Sequence, residues 1–144
     1  MAVTADKTIH IAAAIIMDAQ HRVLLVRKRD TRYFMQPGGK IEAAEQPINA
    51  LIRELDEELQ IKVSETDTRY IGQFTDTAAN EPGFKLVAEI FSVQTSASEI
   101  SPAAEIEEIV WYHPSSDHDL PLAPLTGKQI IPLVFNAEHD FNMN

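Results

Sequence analysis

The chain has 144 residues, 44% of them hydrophobic, and a formal net charge of −10. That length suits a single domain spanning 1–144, and the acidic balance argues against general nucleic-acid binding, which needs a basic footprint. With no cysteine, disulfides, thiolate metal sites and a cysteine nucleophile are excluded.

Thr8 to Met17 reads as a mostly buried strand, too short to span a bilayer. Asp6, Lys7 and His10 precede its apolar run and no cleavage pattern follows, so the expected location is cytoplasmic, with no membrane partner. Asp18 to His21 makes a turn, and Arg22 to Lys28 returns as a second strand around Val23-Leu24-Leu25-Val26. Residues 22–40 hold six of the twelve basic residues (Arg22, Arg27, Lys28, Arg29, Arg32, Lys40) against one acid, Asp30. As a group they suit attraction of phosphates. Tyr33 and Phe34 close this stretch. Either could stack on a base, although core packing or loop anchoring is the simpler reading.

Pro37-Gly38-Gly39-Lys40 follows, a turn whose glycines permit backbone angles closed to other residues and let main-chain atoms approach a ligand. A helix is then expected between Gln46 and Leu59. Ile48, Leu51, Ile52, Leu55 and Leu59 recur at helical spacing, Gln46 can cap, Pro47 fits the first position, and Glu45 lies at the positive end. Glu54, Glu57 and Glu58 are related as i, i+3 and i+4 and share an arc flanking the apolar one, with Arg53 beside Glu57. Three carboxylates this close repel one another unless a cation neutralises them. Hard oxygen ligands suit Mg²⁺ or Mn²⁺ rather than Zn²⁺.

Beyond the helix, strands are expected around Tyr70 to Thr75 and over Phe84 to Val93, a hairpin joined by the polar loop Asp76 to Gly83. Residues 94–104 read as a surface loop, Ile106 to Tyr112 as a strand, and His113 to Pro124 as an irregular connection. Thr126 is placed as the cap of a final helix reaching about Ala137 and kinked at Pro132. The five histidines are scattered without ligand spacing, and His113 and His118, sharing a Pro/Ser loop, read as surface residues, while Glu105, Glu107 and Glu108 form a second acidic cluster. Mixed strands with one helix in the middle and one at the end suit an α/β fold, a mixed sheet with helices packed on it.

The stretch from Gly39 to Ile61 resembles the signature of the Nudix hydrolases, G-x5-E-x7-R-E-U-x-E-E-x-G-U with U aliphatic. Gly39, Glu45, Arg53, Glu54, Leu55, Glu57, Glu58 and Ile61 fall on it, and Gln60 stands where the family has glycine. The match covers 23 residues of 144. The resemblance implies a Nudix α/β/α sandwich, a mixed β-sheet flanked by helices. It also implies Mg²⁺ (or Mn²⁺) held by Glu54, Glu57, Glu58 and the Gly38 carbonyl, with Glu54 as base, Arg53 positioning the carboxylates and Glu45 structural. Arg27, Arg32, Gly38, Gly39 and Lys40 are the expected substrate-binding residues. The implied substrate is a small-molecule nucleotide, a nucleoside diphosphate linked to X and, for a MutT-like member, a nucleoside triphosphate. A hydrolase for ADP-ribose or another dinucleotide or sugar nucleotide, and a catalytically silent nucleotide-sensing domain, are the rival readings. Oligomeric state is left open between monomer and homodimer. One of Glu105, Glu107 and Glu108 is a candidate to join the metal site; a solvated strand edge is the alternative.

Overall fold

The computed structural model describes residues 7–95, 100–117 and 119–136. Six strands and two helices appear in chain order: β1 Thr8–Ile15, β2 Val23–Lys28, β3 Gly38–Lys40, α1 Pro47–Leu59, β4 Thr68–Thr77, β5 Lys85–Val93, β6 Ile106–Tyr112 and α2 Ile131–Phe135. A four-stranded sheet has the order β3-β1-β5-β4, parallel only between β1 and β5, and β2 pairs antiparallel with β6. Backbone bonds tie the two sheets where the chain turns from β1 into β2, as Leu24 N–H donates to the Ile16 carbonyl at 2.9 Å.

The strand period of two sorts the core into two halves. Ala12, Ala14 and Ile16, with Leu24, Val26, Phe91 and Val93, face α1. Their neighbours Ala13, Ile15, Val23, Leu25, Ala88 and Ile90 face the C-terminal helical segment through Ile130, Ile131 and Val134. Helices therefore cover both faces, as expected of an α/β/α sandwich. Among the described residues no helix is long and apolar enough to cross a membrane.

α1 forms where the spacing places it. Leu51, Leu55 and Leu59 are fully buried, each contributing about 1.5–3 kcal/mol of burial. Gln46 occupies the N-cap position but makes no side-chain cap bond, its side chain being a methylene longer than the asparagine that caps well. No acid stands in the first turn, and the Glu45 carboxylate is taken up by Arg53. At the other end Gln60 lies in left-handed geometry, φ 58° and ψ 34°. Its N–H donates to Asp56 O and that of Ile61 to Leu55 O, closing the helix as glycine ordinarily does. Left-handed geometry costs a side chain roughly 1–2 kcal/mol. Gln60→Gly is therefore expected to raise unfolding free energy by up to about 1 kcal/mol, after glycine's unfolded-state entropy is subtracted. A urea titration reads this directly; destabilisation would contradict the strain at Gln60.

Three elements differ from expectation. Gly38–Lys40, expected within a turn, pairs with β1 as the strand β3. A 3₁₀ turn at Glu65–Asp67 precedes β4, held where Ser64 N–H donates to the Asp67 carboxylate at 2.8 Å. Thr126 does not cap the last helix. The helical turn opens at Pro124 and Leu125, passes through a π-helical segment at Thr126–Ile130, and continues as α2. Pro132 lacks an N–H to donate back, and the wider π turn directly precedes it. The expected end at Ala137 and the middle of the 94–104 loop lie outside the described residues.

Candidate active site

The burial of the three α1 carboxylates follows from their angle on the helix. At about 100° per residue, Glu58 falls within about 20° of Leu51, Glu54 about 60° away and Glu57 about 120° away. Glu58 is accordingly 2% exposed, while the side chains of Glu54 and Glu57 are 15% and 55% exposed. Glu58 thus lies within the apolar arc rather than beside it.

Gly38 and Gly39 open β3 and lie against this face, and both glycines are required there. A Cβ on Gly38, whose φ is +151°, would meet the Ala12 carbonyl oxygen at 2.1 Å; one on Gly39 would lie 2.3 Å from Glu54 Cδ. Gly38 N–H donates to Glu58 Oε1 at 3.3 Å. Glu58 Oε2, equally buried, has no partner. Burial pushes the Glu58 carboxyl up to about 8, against the pull of Lys28 and the Gly38 N–H. Burial also raises Glu54, which Arg53 partly offsets.

Arg53 organises the outer half of the site. Its Nε and Nη2 grip Glu45 at 2.9 Å each, Nη1 donates to Glu54 Oε2 at 2.8 Å and Glu57 Oε2 at 3.5 Å, and Nη2 reaches the Lys40 carbonyl at 3.1 Å. The Arg53 hydrogen bonds hold Glu45 well below the usual carboxylate range, at about 2. The expected pairing of Glu45 with Arg53 is present.

Among the described residues, no three acidic or imidazole groups converge closely enough to grip a cation as their side chains stand. Like-charged carboxylates have no reason to converge without one, and Arg53 draws Glu54 and Glu57 outward. The residues nonetheless fit a hard divalent cation. A buried carboxylate oxygen without a partner is costly by itself, and it stands among oxygen donors next to the glycines of β3.

The basic stretch divides across this geometry. Lys28 lies in the field of both Glu54 and Glu58 and lines a cavity that also takes in Gly38, Gly39 and Lys40. Arg27 instead pairs with Glu108 at 3.1 Å, donates to the Thr31 carbonyl and lies over the Phe34 ring. Arg32 is exposed and stacks over Tyr33. Neither arginine is among the residues lining the cavity. Phe34 is core. The second acidic cluster faces the basic strand one to one across β2 and β6, Glu105 with Lys28 at 3.2 Å and Glu107 with Arg29 at 3.4 Å. Of the three acids, Glu105 also acts on Glu58. His10 pairs with Glu89 at 2.6 Å and His113 packs on Phe135, while His118 and His139 lie outside the described residues.

The cavity itself is mostly apolar, walled by Ile9, Ile11, Met35, Leu86 and Leu125, with the 77–81 loop on one side. Gln36 and Thr126 are its buried polar lining. Sequence reasoning missed these two. The signal for Gln36 was available: an amide placed directly before Pro-Gly-Gly, where an apolar residue would bury without needing a partner.

A family model described as NUDIX domain matches residues 7–133. The 8-oxo-dGTP diphosphatase of Proteus vulgaris is 41% identical over 64 residues, a match covering 41% of this chain and 56% of that protein. The chain thus spans little more than half the length of this curated relative. The solution structure of the E. coli ORF135 protein is 28% identical, with a TM-score of 0.64 over 90% of this chain and 87% of that one. The crystal structure of the MutT protein from Methanosarcina mazei Go1 shares the fold at a TM-score of 0.76 and 19% identity, covering 96% of this chain and 100% of that one.

Proposed function

Since the chain belongs to the NUDIX family, we propose that it is a MutT-like pyrophosphohydrolase of nucleoside triphosphates, in which the matched residues act as one catalytic domain. The observation that carries the reading is the buried, unpartnered Oε2 of Glu58, held beside the glycines of β3 and in the field of Lys28. The named activity of the Proteus vulgaris relative supports a triphosphate over other nucleotides.

Nudix hydrolases generally use divalent metal ions, and Glu54, Glu57, Glu58 and the Gly38 carbonyl would hold Mg²⁺ (or Mn²⁺) here. A cation held there would screen phosphate charge and polarise the attacking water. Lys28, Lys40 and the backbone of Gly38 and Gly39 orient the pyrophosphate. Glu54, desolvated and with only Oε2 committed to Arg53, receives the proton of the attacking water at Oε1. Arg53 positions Glu54 and Glu57 and does not itself touch substrate. The apolar cavity seats the base, and its walls exclude water from that end of the nucleotide. Arg27 and Arg32 act on phosphate from farther away, Arg27 through a charge already shared with Glu108.

Lys28→Ala is therefore expected to raise the apparent KM about 10-fold with a smaller change in kcat, because a cation near the phosphates binds ground and transition states alike. The Arg27→Ala/Arg32→Ala pair is expected to raise KM less; steady-state kinetics giving the reverse ranking would move the phosphate seat. Product analysis tests the reaction itself. Chromatography of a triphosphate digest should show nucleoside monophosphate with pyrophosphate, and accumulation of diphosphate with inorganic phosphate would overturn the assignment.

A further inference from the structure

Gln36 carries a polar group that the proposed chemistry leaves unused. It is 6% exposed and lines the cavity, and Thr126 Oγ1 donates to its Oε1 at 3.0 Å. Its Nε2, buried with two N–H groups, has no acceptor. Buried amide donors are nearly always satisfied in folded proteins, so an orphan on a residue that lines a cavity calls for an account. The backbone on both sides of it is pinned. Met35 exchanges hydrogen bonds with Val26 at 2.8 and 2.9 Å, and the Pro37 carbonyl accepts from Ala14 N–H at 2.9 Å. Thr126, 1% exposed, is fixed on the π-helical turn across the cavity. Gln36 is thus held by its neighbours, with its oxygen committed and its nitrogen not.

We infer that Gln36 reads the nucleobase, its amide nitrogen donating to a base that turns a carbonyl toward it. This rests on the cavity being the base seat of the proposed function. Guanine, hypoxanthine and uracil offer such a carbonyl; adenine and cytosine place an exocyclic amino group at the corresponding edge, so that donor faces donor. An apolar wall alone separates bases poorly, whereas a site built around one hydrogen bond rejects the partner that cannot make it. Thr126 Oγ1 donates to Oε1, and Nε2 is the amide group left for the base.

The test is equilibrium binding of GMP, IMP, UMP, AMP and CMP without divalent cation, read by calorimetry, alongside hydrolysis of the matching triphosphates with Mg²⁺. The wild type is expected to favour the carbonyl bases by at least ~10-fold over their amino counterparts, and Gln36→Leu to bring the ratio within ~3-fold. Thr126→Val, which frees the amide to turn, should relax the preference by improving AMP and CMP binding. Gln36→Leu replaces an unsatisfied donor with an apolar group of similar length, so its thermal melt is expected to match or exceed that of wild type; should it fail to fold, Thr126→Val decides. A carbonyl preference that survives in the folded variants, or that is absent from wild type, overturns the role of Gln36. Triphosphate hydrolysis without base preference would sink this inference alone. Carbonyl-selective monophosphate binding without hydrolysis would uphold it and sink the proposed function. Failure of every nucleotide to bind or turn over would overturn both.

Discussion

Glu57→Gln is expected to lower turnover at least ~100-fold, the scale of losing a major electrostatic contribution to the transition state, while leaving the fold intact. Glu57 is the most exposed of the three α1 carboxylates, and its contact with Arg53 is long, at 3.5 Å. Glutamine keeps its length and one oxygen, so packing is undisturbed and a charge is what is lost. Removing the Glu57 charge also relieves its repulsion of Glu54 in the metal-free protein. Asp56→Asn on the same helix is the matching control, since Asp56 pairs with Lys62 at 3.0 Å and stands outside the site. It should retain near-normal kcat/KM. Near-normal turnover of Glu57→Gln at saturating Mg²⁺ would mean that the carboxylate face is not where the reaction occurs.

The metal-free protein is expected to lose stability as pH rises from about 4.5 towards 8. Folded Glu58 keeps its proton to about 8, and the ordinary value for the group is 4.5. Between these limits the folded state binds more protons than the unfolded, so unfolding free energy falls with increasing pH. The contribution is fully present below the ordinary value and is lost as pH passes the folded one. It amounts to at most about 5 kcal/mol across the window. Glu54 is raised as well and acts in the same direction. Asp18, Asp76, Glu45 and Glu89 are lowered, so what they contribute is lost only towards acid, below the window. Urea titrations in chelator at several pH values between 5 and 8.5 should show this slope in wild type and a much shallower one in Glu58→Gln. Mg²⁺ should offset the loss at high pH, since a cation that binds the ionised folded state stabilises it. Equal slopes for wild type and variant would contradict the assignment of Glu58 as the buried acid.

What was legible in the sequence, and what was not, follows from the range of the interactions. α1 and its carboxylates depend on spacings of three and four residues, and the pairing of Glu45 with Arg53 lies within one signature. Glu58 was misplaced by one step of reasoning: its angle coincides with that of Leu51, but its charge suggested a flanking surface. Longer-range features were beyond reach. The pairing of Arg27 with Glu108, and of Lys28 with Glu105, exists only because β2 and β6 are neighbours, which no local pattern specifies. The same holds for the parallel contact of β1 with β5. Thr126 reads as a cap because threonine is among the residues preferred at helix N-caps. Its hydroxyl is instead committed to Gln36, 90 residues earlier in the chain.

Turnover of a nucleoside triphosphate by metal-stripped protein, measured before and after addition of Mg²⁺ or Mn²⁺, tests the central claim most directly. Hydrolysis should be negligible in chelator, appear on addition of either ion, and fall by at least ~100-fold in Glu57→Gln at the same metal concentration. Hydrolysis that proceeds at the same rate in chelator, or that Glu57→Gln leaves unchanged, would contradict a metal-assisted reaction on the carboxylate face of α1.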